Sequence, residues 1–531
     1  MRAARLFPLM VAALVLAPIA VIFSSFLTPA DEVWRHFAAT ILGELVINTL
    51  VLALAVAGGT AVLGVGLAWL TAVCEFPGRR FFSWALLLPL AIPAYVIGFV
   101  AIGLLDFTGP LQSGLRNLTG SLLPWFPSIR SRGGVILVMT LALYPYVYLL
   151  ARNAFRTQGK RMLEAGRALG LSSWQAFGRV AIPMARPWIA SGLMLVVMET
   201  LADFGTVAVF NYDTLTSGVY KAWYGLFSIA AASQVASILI VIALVALLVE
   251  QQTRQLMRFS PAHGGGEAAR IVLAGAHKFG AFAACALVFA AGFIVPAGQL
   301  AFWVFGASAG EFNSRYLEYL WHSLALGGLA ALCVTTTALL LNYSARHQSG
   351  AMTRIAIKLA NIGYAVPGAV LAVGIFVVVA WLDQAIPAPL RDFFGIAPGS
   401  FLQGSIVVML AAYLIRFMAV GFGPLESALH RVTRTIDEAA IALGQGGARL
   451  VYRIHLPMLR GGLATAAVLV FVDVLKEMPI TLMTRPFGWD TLAVRIFELT
   501  SEGQWERAAL PALVLVLAGL LPVIHLTRAS E

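Results

Sequence analysis

About twelve apolar stretches divide this chain, each near the roughly 20 residues a helix needs to cross a bilayer's hydrocarbon. They lie near 7–26, 46–73, 82–105, 134–151, 188–210 and 229–249, then 278–304, 322–342, 356–382, 405–423, 461–483 and 508–526. In lipid a backbone must satisfy its own N–H and C=O groups, so such stretches are expected to be helical. The composition agrees: 60% of the 531 residues are hydrophobic and 11% are charged, against about 25% charged in a soluble chain. Too little polar surface is left to cover a globule in water. The expected fold is an all-α integral membrane protein surrounded by lipid.

A formal net charge of +11 would suggest nucleic acid as a partner of a soluble protein. Here the cations sit in short loops between apolar stretches, so no nucleic acid partner is expected; cytoplasmic loops carry this excess of Lys and Arg. With the N-terminus inside, inner loops hold about two dozen of them and outer loops about ten, which places both termini in the cytoplasm. The Phe7–Phe26 segment follows Arg2 and Arg5 as a signal peptide would. Its apolar run exceeds the roughly 7–15 residues of a signal core and no small-x-small cleavage site follows, so an uncleaved first membrane helix is expected.

One polar motif occurs twice. Glu164-Ala165-Gly166-Arg167-Ala168-Leu169-Gly170 is followed by Val180-Ala181-Ile182-Pro183, and Glu438-Ala439-Ala440-Ile441-Ala442-Leu443-Gly444 by Ile454-His455-Leu456-Pro457, with an offset of 274. The same offset relates Asn48-Thr49-Leu50 to His322-Ser323-Leu324, Pro93 to Pro367 and Asp203 to Glu477. Apolar helices resemble one another cheaply, but Glu, Gly and Pro aligned in polar loops do not. The expected organisation is a first repeat at 1–258, a linker at 259–270 and a second repeat at 271–531. Six spans per half run both copies in the same direction, related by a pseudo-two-fold axis along the membrane normal.

Within the first motif, Met162–Leu169 suits a helix and Gly170 a left-handed stop. Ser172 and Gln175 have capping-box spacing for a second short helix, and Pro183 sits where a helix can start without an amide hydrogen. The second copy repeats the plan: Gly444 ends a helix, Gly446 and Gly447 loosen the turn, Arg449–Tyr452 form the short helix, and Pro457 leads into the next span. Two matched short helices on the cytoplasmic side suit a two-fold soluble partner.

The pattern Glu-Ala-Ala, three residues, Gly, nine residues, Ile-x-Leu-Pro resembles the docking loop of binding-protein-dependent ABC importer permeases. The second copy matches in full; the first departs at Gly166, Val180 and Ile182. Two further stretches narrow the resemblance to the fused permeases of ferric-iron importers. They are Glu199–Thr206 running on through Asn211–Leu215 to Tyr220–Gly225, and Lys476–Pro479 with Trp489–Leu492. The resemblance covers nearly the whole chain. It implies docking of a cytoplasmic ABC ATPase, in two copies, at loops carrying Glu164, Ala165, Gly170, Pro183, Glu438, Ala439, Gly444 and Pro457. It also implies a periplasmic substrate-binding protein, with ATP and Mg on the partner ATPase, and location in a bacterial inner membrane.

The chain has no Gly-x-x-x-x-Gly-Lys-Ser/Thr phosphate loop and no nucleophile or paired carboxylates in a catalytic context. It is expected to be no enzyme and to bind no cofactor of its own. Cys74, Cys285 and Cys333 are far apart, and neither they nor the eight scattered histidines have metal-ligand spacing. Carboxylates beside spans are costly in hydrocarbon and should face the bundle interior or water. Glu199 and Asp203 lie four apart, on one helical face, and Asp473 and Glu477 are their equivalents. They are candidates for a path taken by a hard trivalent cation, which prefers oxygen ligands; the alternative is structural pairing or the capping of a broken helix. Pro93 and Pro367 are candidate kinks, and Trp223, Tyr224, Tyr319 and Trp321 candidate interfacial anchors. The leading expectation is the permease of an ATP-driven ferric-iron importer. Thiamine, a polyamine or another small solute would keep the class. An ion-coupled secondary transporter or a structural scaffold leaves the paired loops unexplained.

Overall fold

The computed structural model describes residues 2–27, 32–120, 124–168, 170–258, 270–307, 314–347, 350–385, 402–443, 445 and 448–530. The expected linker at 259–270 lies outside them except for Arg270. Among the described residues, twelve helical stretches are long and apolar enough to cross a membrane. They are α1 (Leu6–Leu27), α2 (Leu42–Val73), α3 (Ala94–Thr119), α4 (Arg132–Arg156), α5 (Phe177–Ala202), α6 (Ile229–Gln252), α7 (Ala276–Gly306), α8 (Ser314–Arg346), α9 (Gly368–Ala385), α10 (Ile406–His430), α11 (Val451–Lys476) and α12 (Trp505–Ile524). The only strands among them are two residues each, Cys74–Glu75 paired in parallel with Ile271–Val272. The all-α membrane class therefore stands.

Four of the apolar stretches are broken where hydropathy reads them as continuous. The stretch at 82–105 is a helix Arg79–Ala85, a 3₁₀ turn Leu88–Ala91 and a new helix from Ala94, with Pro93 as its N-cap. At 356–382 come a helix Ala351–Ala360, a 3₁₀ turn Ile362–Ala365 and α9 from Gly368, after Pro367. These prolines mark breaks rather than the kinks expected of them: proline without an N–H begins a helix more readily than it continues one. The stretch at 188–210 stops at Ala202 and restarts at Gly205; that at 461–483 stops at Lys476 and restarts at Pro479.

Backbone groups freed at a break need partners in an apolar medium. Near Pro367 the buried Arg416 of α10 donates from Nη1 to the carbonyl of Tyr364, at 2.6 Å, and to that of Val366. Before Pro93 the Tyr144 hydroxyl donates to the Leu86 carbonyl, at 2.9 Å. Farther along, Thr49 Oγ1 accepts from the Leu215 N–H and Ser323 Oγ from the Leu492 N–H, each at 2.9 Å. Thr49 and Ser323 are 274-residue equivalents. Thr49→Val is expected to leave the Leu215 N–H buried and unpaired, at about 1–3 kcal/mol. A melting temperature of the detergent-solubilised protein that drops for Thr49→Val and holds for Thr49→Ser checks this.

The chain forms two compact units. One comprises Met1–His36, Val219–Ile240 and Phe312–Arg495; the other Phe37–Gly218, Val241–Glu311 and Ile496–Glu531. In the former, α1 packs among second-half helices: Val11 shares a core with Ala338, Leu341, Ala360, Met418, Phe422 and Ala466. In the latter, the first-half Phe99 stacks with Trp303 of α7 and Trp505 of α12, with centroids 6.3 and 6.4 Å away. Each unit thus contains helices from both halves of the sequence.

Candidate functional site

The first motif loop begins where helix Arg132–Ala168 runs on past the apolar α4, carrying Glu164 and Ala165 near its C-terminal end. Gly170 follows with φ +65°, the left-handed stop its position predicts. The capping box forms: the Ser172 N–H donates to Gln175 Oε1 at 3.0 Å, and the Gln175 N–H to Ser172 Oγ at 3.4 Å. Helix Ser173–Ala176 then passes into a π turn, Phe177–Ala181, which continues unbroken into Ile182–Ala202. Pro183 lies in the first turn of that last segment. Sequence spacing suggests a separate short helix followed by re-entry, whereas the short helix and α5 form one continuous rod.

The second loop has the same order of helical elements among its described residues. Helix Arg434–Ala442 carries Glu438 and Ala439, both exposed. Gly444, Gly446 and Gly447 lie outside the described residues. Helix Ala448–Leu450 passes into a π turn, Val451–His455, and on into Leu456–Lys476, with the exposed Pro457 in its first turn. The two π turns are 274-residue equivalents. Such turns are rare, yet frequent at functional sites; among the described residues two more, Lys221–Gly225 and Ala290–Ile294, lie outside the motif loops. Around the second motif, Ile441, Leu443, Tyr452 and Met458 are exposed, Leu443 by 80%. Apolar side chains so placed suit contact with a protein partner. Hydropathy scanning passes over them because the loop is polar on average.

Behind this surface lies a polar network that motif spacing does not reveal. Asp437 Oδ2 accepts from Arg346 Nη2 at 2.5 Å, and Oδ1 faces His455 Nε2 at 2.8 Å. His455 Nδ1 is 2.7 Å from the Tyr343 hydroxyl, and Arg346 Nη1 donates to the Val432 carbonyl at 2.7 Å. Burial pushes the Asp437 carboxyl up, but hydrogen bonds from Arg346 and His455 outweigh it and its pKa is lowered. A lowered carboxylate contributes stability above its unfolded pKa and loses it as pH falls through the folded value. The Asp437 carboxylate therefore keeps its charge and its contribution at neutral pH.

The four candidate path carboxylates occupy the ends of α5 and α11. Glu199 lies within α5 and Asp473 within α11, both half-buried. Asp203 stands at the break after α5: Oδ1 accepts from the N–H groups of Thr206 and Val207, at 3.0 and 3.2 Å, and Oδ2 from the Thr206 hydroxyl at 2.8 Å. Glu477 does the same after α11, accepting from the Ile480 N–H at 3.1 Å. Both therefore cap the restarted helices. Of the four candidate anchors, Trp223 is buried against Phe376, with centroids 4.7 Å apart. This interior packing replaces the interfacial position expected of it. Tyr224 is 41% and Trp321 66% exposed, and Tyr319 lies beneath the Arg495 guanidinium.

Residues 61–258 match the family described as "binding-protein-dependent transport system inner membrane component". The chain is 27% identical over 495 residues to the Fe(3+)-transport system permease protein FbpB 2 of Haemophilus influenzae, covering 92% of this chain and 90% of that protein. It is 26% identical over 204 residues to the molybdenum transport system permease protein ModB of Escherichia coli, covering 37% of this chain and 86% of that protein. With the sulfate transport system permease protein CysW of the same organism it shares 30% identity over 161 residues, covering 30% of this chain and 53% of that protein. Permease subunits of this kind are not themselves enzymes and work with ABC transporter partners. With paired motif loops, twelve candidate spans and similarity over 92% of its length to a permease, the chain resembles the inner-membrane components of binding-protein-dependent transport systems.

Proposed function

We propose that the chain imports ferric iron, received from a periplasmic binding protein and driven by two copies of a cytoplasmic ABC ATPase. The observation that carries the ATP-driven reading is the continuity of each motif loop, through a π turn, into a broken membrane helix. A rod that joins a docking surface to a span can convert partner closure into movement at the span's far end. The similarity to an Fe(3+) permease over 92% of the chain supports iron as substrate.

In this reading the repeats 1–258 and 271–531, joined by the linker 259–270, relate by a pseudo-two-fold axis around a central path, and both termini are cytoplasmic. The loops dock at Glu164, Ala165, Gly170 and Pro183, and at Glu438, Ala439, Gly444 and Pro457. ATP and Mg are held by the partner ATPase and this chain holds no cofactor. Glu199, Asp203, Asp473 and Glu477 flank the path and favour a trivalent cation through their charge.

The test is uptake into vesicles containing this chain and its co-purified ATPase, with binding protein loaded with ferric iron or with thiamine. ATP-dependent iron accumulation that disappears without binding protein is the expected result. Thiamine uptake alone would retain the mechanism and discard the substrate. Uptake driven by a proton gradient with no ATPase would overturn the ATP-driven reading.

A further inference from the structure

The two docking loops are secured to the membrane helices by different chemistry. The pivot is one equivalent position, Trp69 on α2 and Tyr343 on α8, separated by 274 residues. Trp69 is buried, edge-on to Phe155 with centroids 5.5 Å apart, and 4.8 Å from Phe177 in the first π turn. That joint is aromatic and apolar. Tyr343 meets the second π turn through its hydroxyl and His455, whose side chain is 1% exposed and whose other ring nitrogen faces Asp437.

The positions equivalent to Arg346, Asp437 and His455 are Ala72, Leu163 and Ala181, so none of the three polar groups has an equivalent in the first repeat. In the second, Arg346 also donates to the Leu429 and Val432 carbonyls at the end of α10, at 3.4 and 2.7 Å. Leu429, Val432 and Leu459 form a small apolar core there, with Tyr343 and Ile436 packed against it. Asp437 joins three parts directly: the helix Arg434–Ala442 that carries it, Arg346 on α8, and His455 at the root of α11. A carboxylate only accepts hydrogen bonds, so His455 Nε2 carries the hydrogen toward Asp437. In the neutral ring Nδ1 then accepts from the Tyr343 hydroxyl.

We propose that Asp437 is a positioning residue that transmits movement of the second docking loop to α8 and α11 through Arg346 and His455. The two docking sites are then mechanically unequal. The first passes force through apolar packing, which tolerates small slips. The second passes it through directional, charge-assisted hydrogen bonds, which are shorter and stronger than neutral ones and fix geometry. This inference rests on the ATP-driven reading above.

The experiment uses the full permease–ATPase complex in vesicles, with iron-loaded binding protein, and measures iron transported per ATP hydrolysed. Asp437→Asn and His455→Gln are each expected to lower that ratio about tenfold, within the range of coupling between linked sites. The ATPase should still co-purify and its hydrolysis rate stay within about twofold of wild type. The double variant should be no worse than either single one, as for residues acting as one unit, and Arg346→Lys should retain much of the coupling. A ratio unchanged in Asp437→Asn would overturn the proposal, as would losses that multiply in the double variant. Loss of the ATPase from the Asp437→Asn complex would also overturn it, since the residue would then shape the docking surface. Absence of any ATPase from the wild-type complex is a separate result that would remove the ATP-driven reading itself.

Discussion

Replacing Gly170 and Gly444 together by valine is expected to abolish most coupled transport while leaving a membrane-inserted chain. At Gly170 the reason is backbone conformation alone. Its φ of +65° is left-handed, and a Cβ added there meets nothing within 4 Å. An L-residue in that region costs about 1–2 kcal/mol, and a β-branched one sits there least well. Since about 1.4 kcal/mol is tenfold in an equilibrium, the turn of the Gly170→Val chain would be disfavoured by about tenfold relative to its alternatives. The capping box at Ser172 and Gln175 would then be displaced from the end of the preceding helix. Asparagine visits the left-handed region readily, so Gly170→Asn should transport nearly as wild type and Gly170→Ala fall between. Measuring transport per ATP across the series Gly, Asn, Ala and Val decides it. A loss that followed side-chain volume, with Asn worse than Ala, would show steric contact to be the cause. Normal coupling in the Gly170→Val and Gly444→Val double variant would sink the docking reading.

The membrane class and the backbone of the first motif loop were legible in the sequence because their signals are local. Twenty apolar residues specify a span without reference to any other part of the chain, and Gly170, Ser172 and Gln175 specify their own backbone. The four breaks were less legible. Hydropathy averages over a window, and Pro93, Asp203, Pro367 and Glu477 each stand at a helix break within a run that stays apolar on both sides. The signal was present as a proline or carboxylate at the same place in both halves, but choosing between kink and break needs the partners of the freed backbone groups, such as Arg416 with Tyr364 and Val366. Packing of α1 among Ala338, Met418 and Ala466 left no trace in a linear reading, because an apolar helix surface does not name its neighbour. Nor did the contact of Asp437 with Arg346, which lie 91 residues apart.

The largest effect on substrate passage is expected at the two breaks, and the geometry separates two roles that a single substitution would confuse. Asp203 spends both oxygens on the restarted helix, receiving three hydrogen bonds. Removing such a cap costs about 0.5–2 kcal/mol at each helix start. Asp203→Ala with Glu477→Ala should therefore lower the amount of folded permease in the membrane, whatever the substrate. Asp203→Asn with Glu477→Gln keeps an acceptor oxygen for the backbone N–H groups at each cap and removes the charge, with the Thr206 hydroxyl able to accept from the new amide. Its abundance should stay normal. A unit charge about 6 Å from a cation at an effective dielectric near 20 contributes roughly 3 kcal/mol per cation charge, and screening by water and counter-ions leaves ample room for a tenfold fall in ferric-iron uptake. The measurement is initial uptake rate per folded complex for both double variants, alongside abundance. Iron uptake that falls in the amide pair at normal abundance assigns the charge to the path. Uptake and ion selectivity unchanged in that pair, with loss of abundance in the alanine pair, would leave the carboxylates as helix caps alone and move the search for the path to other residues.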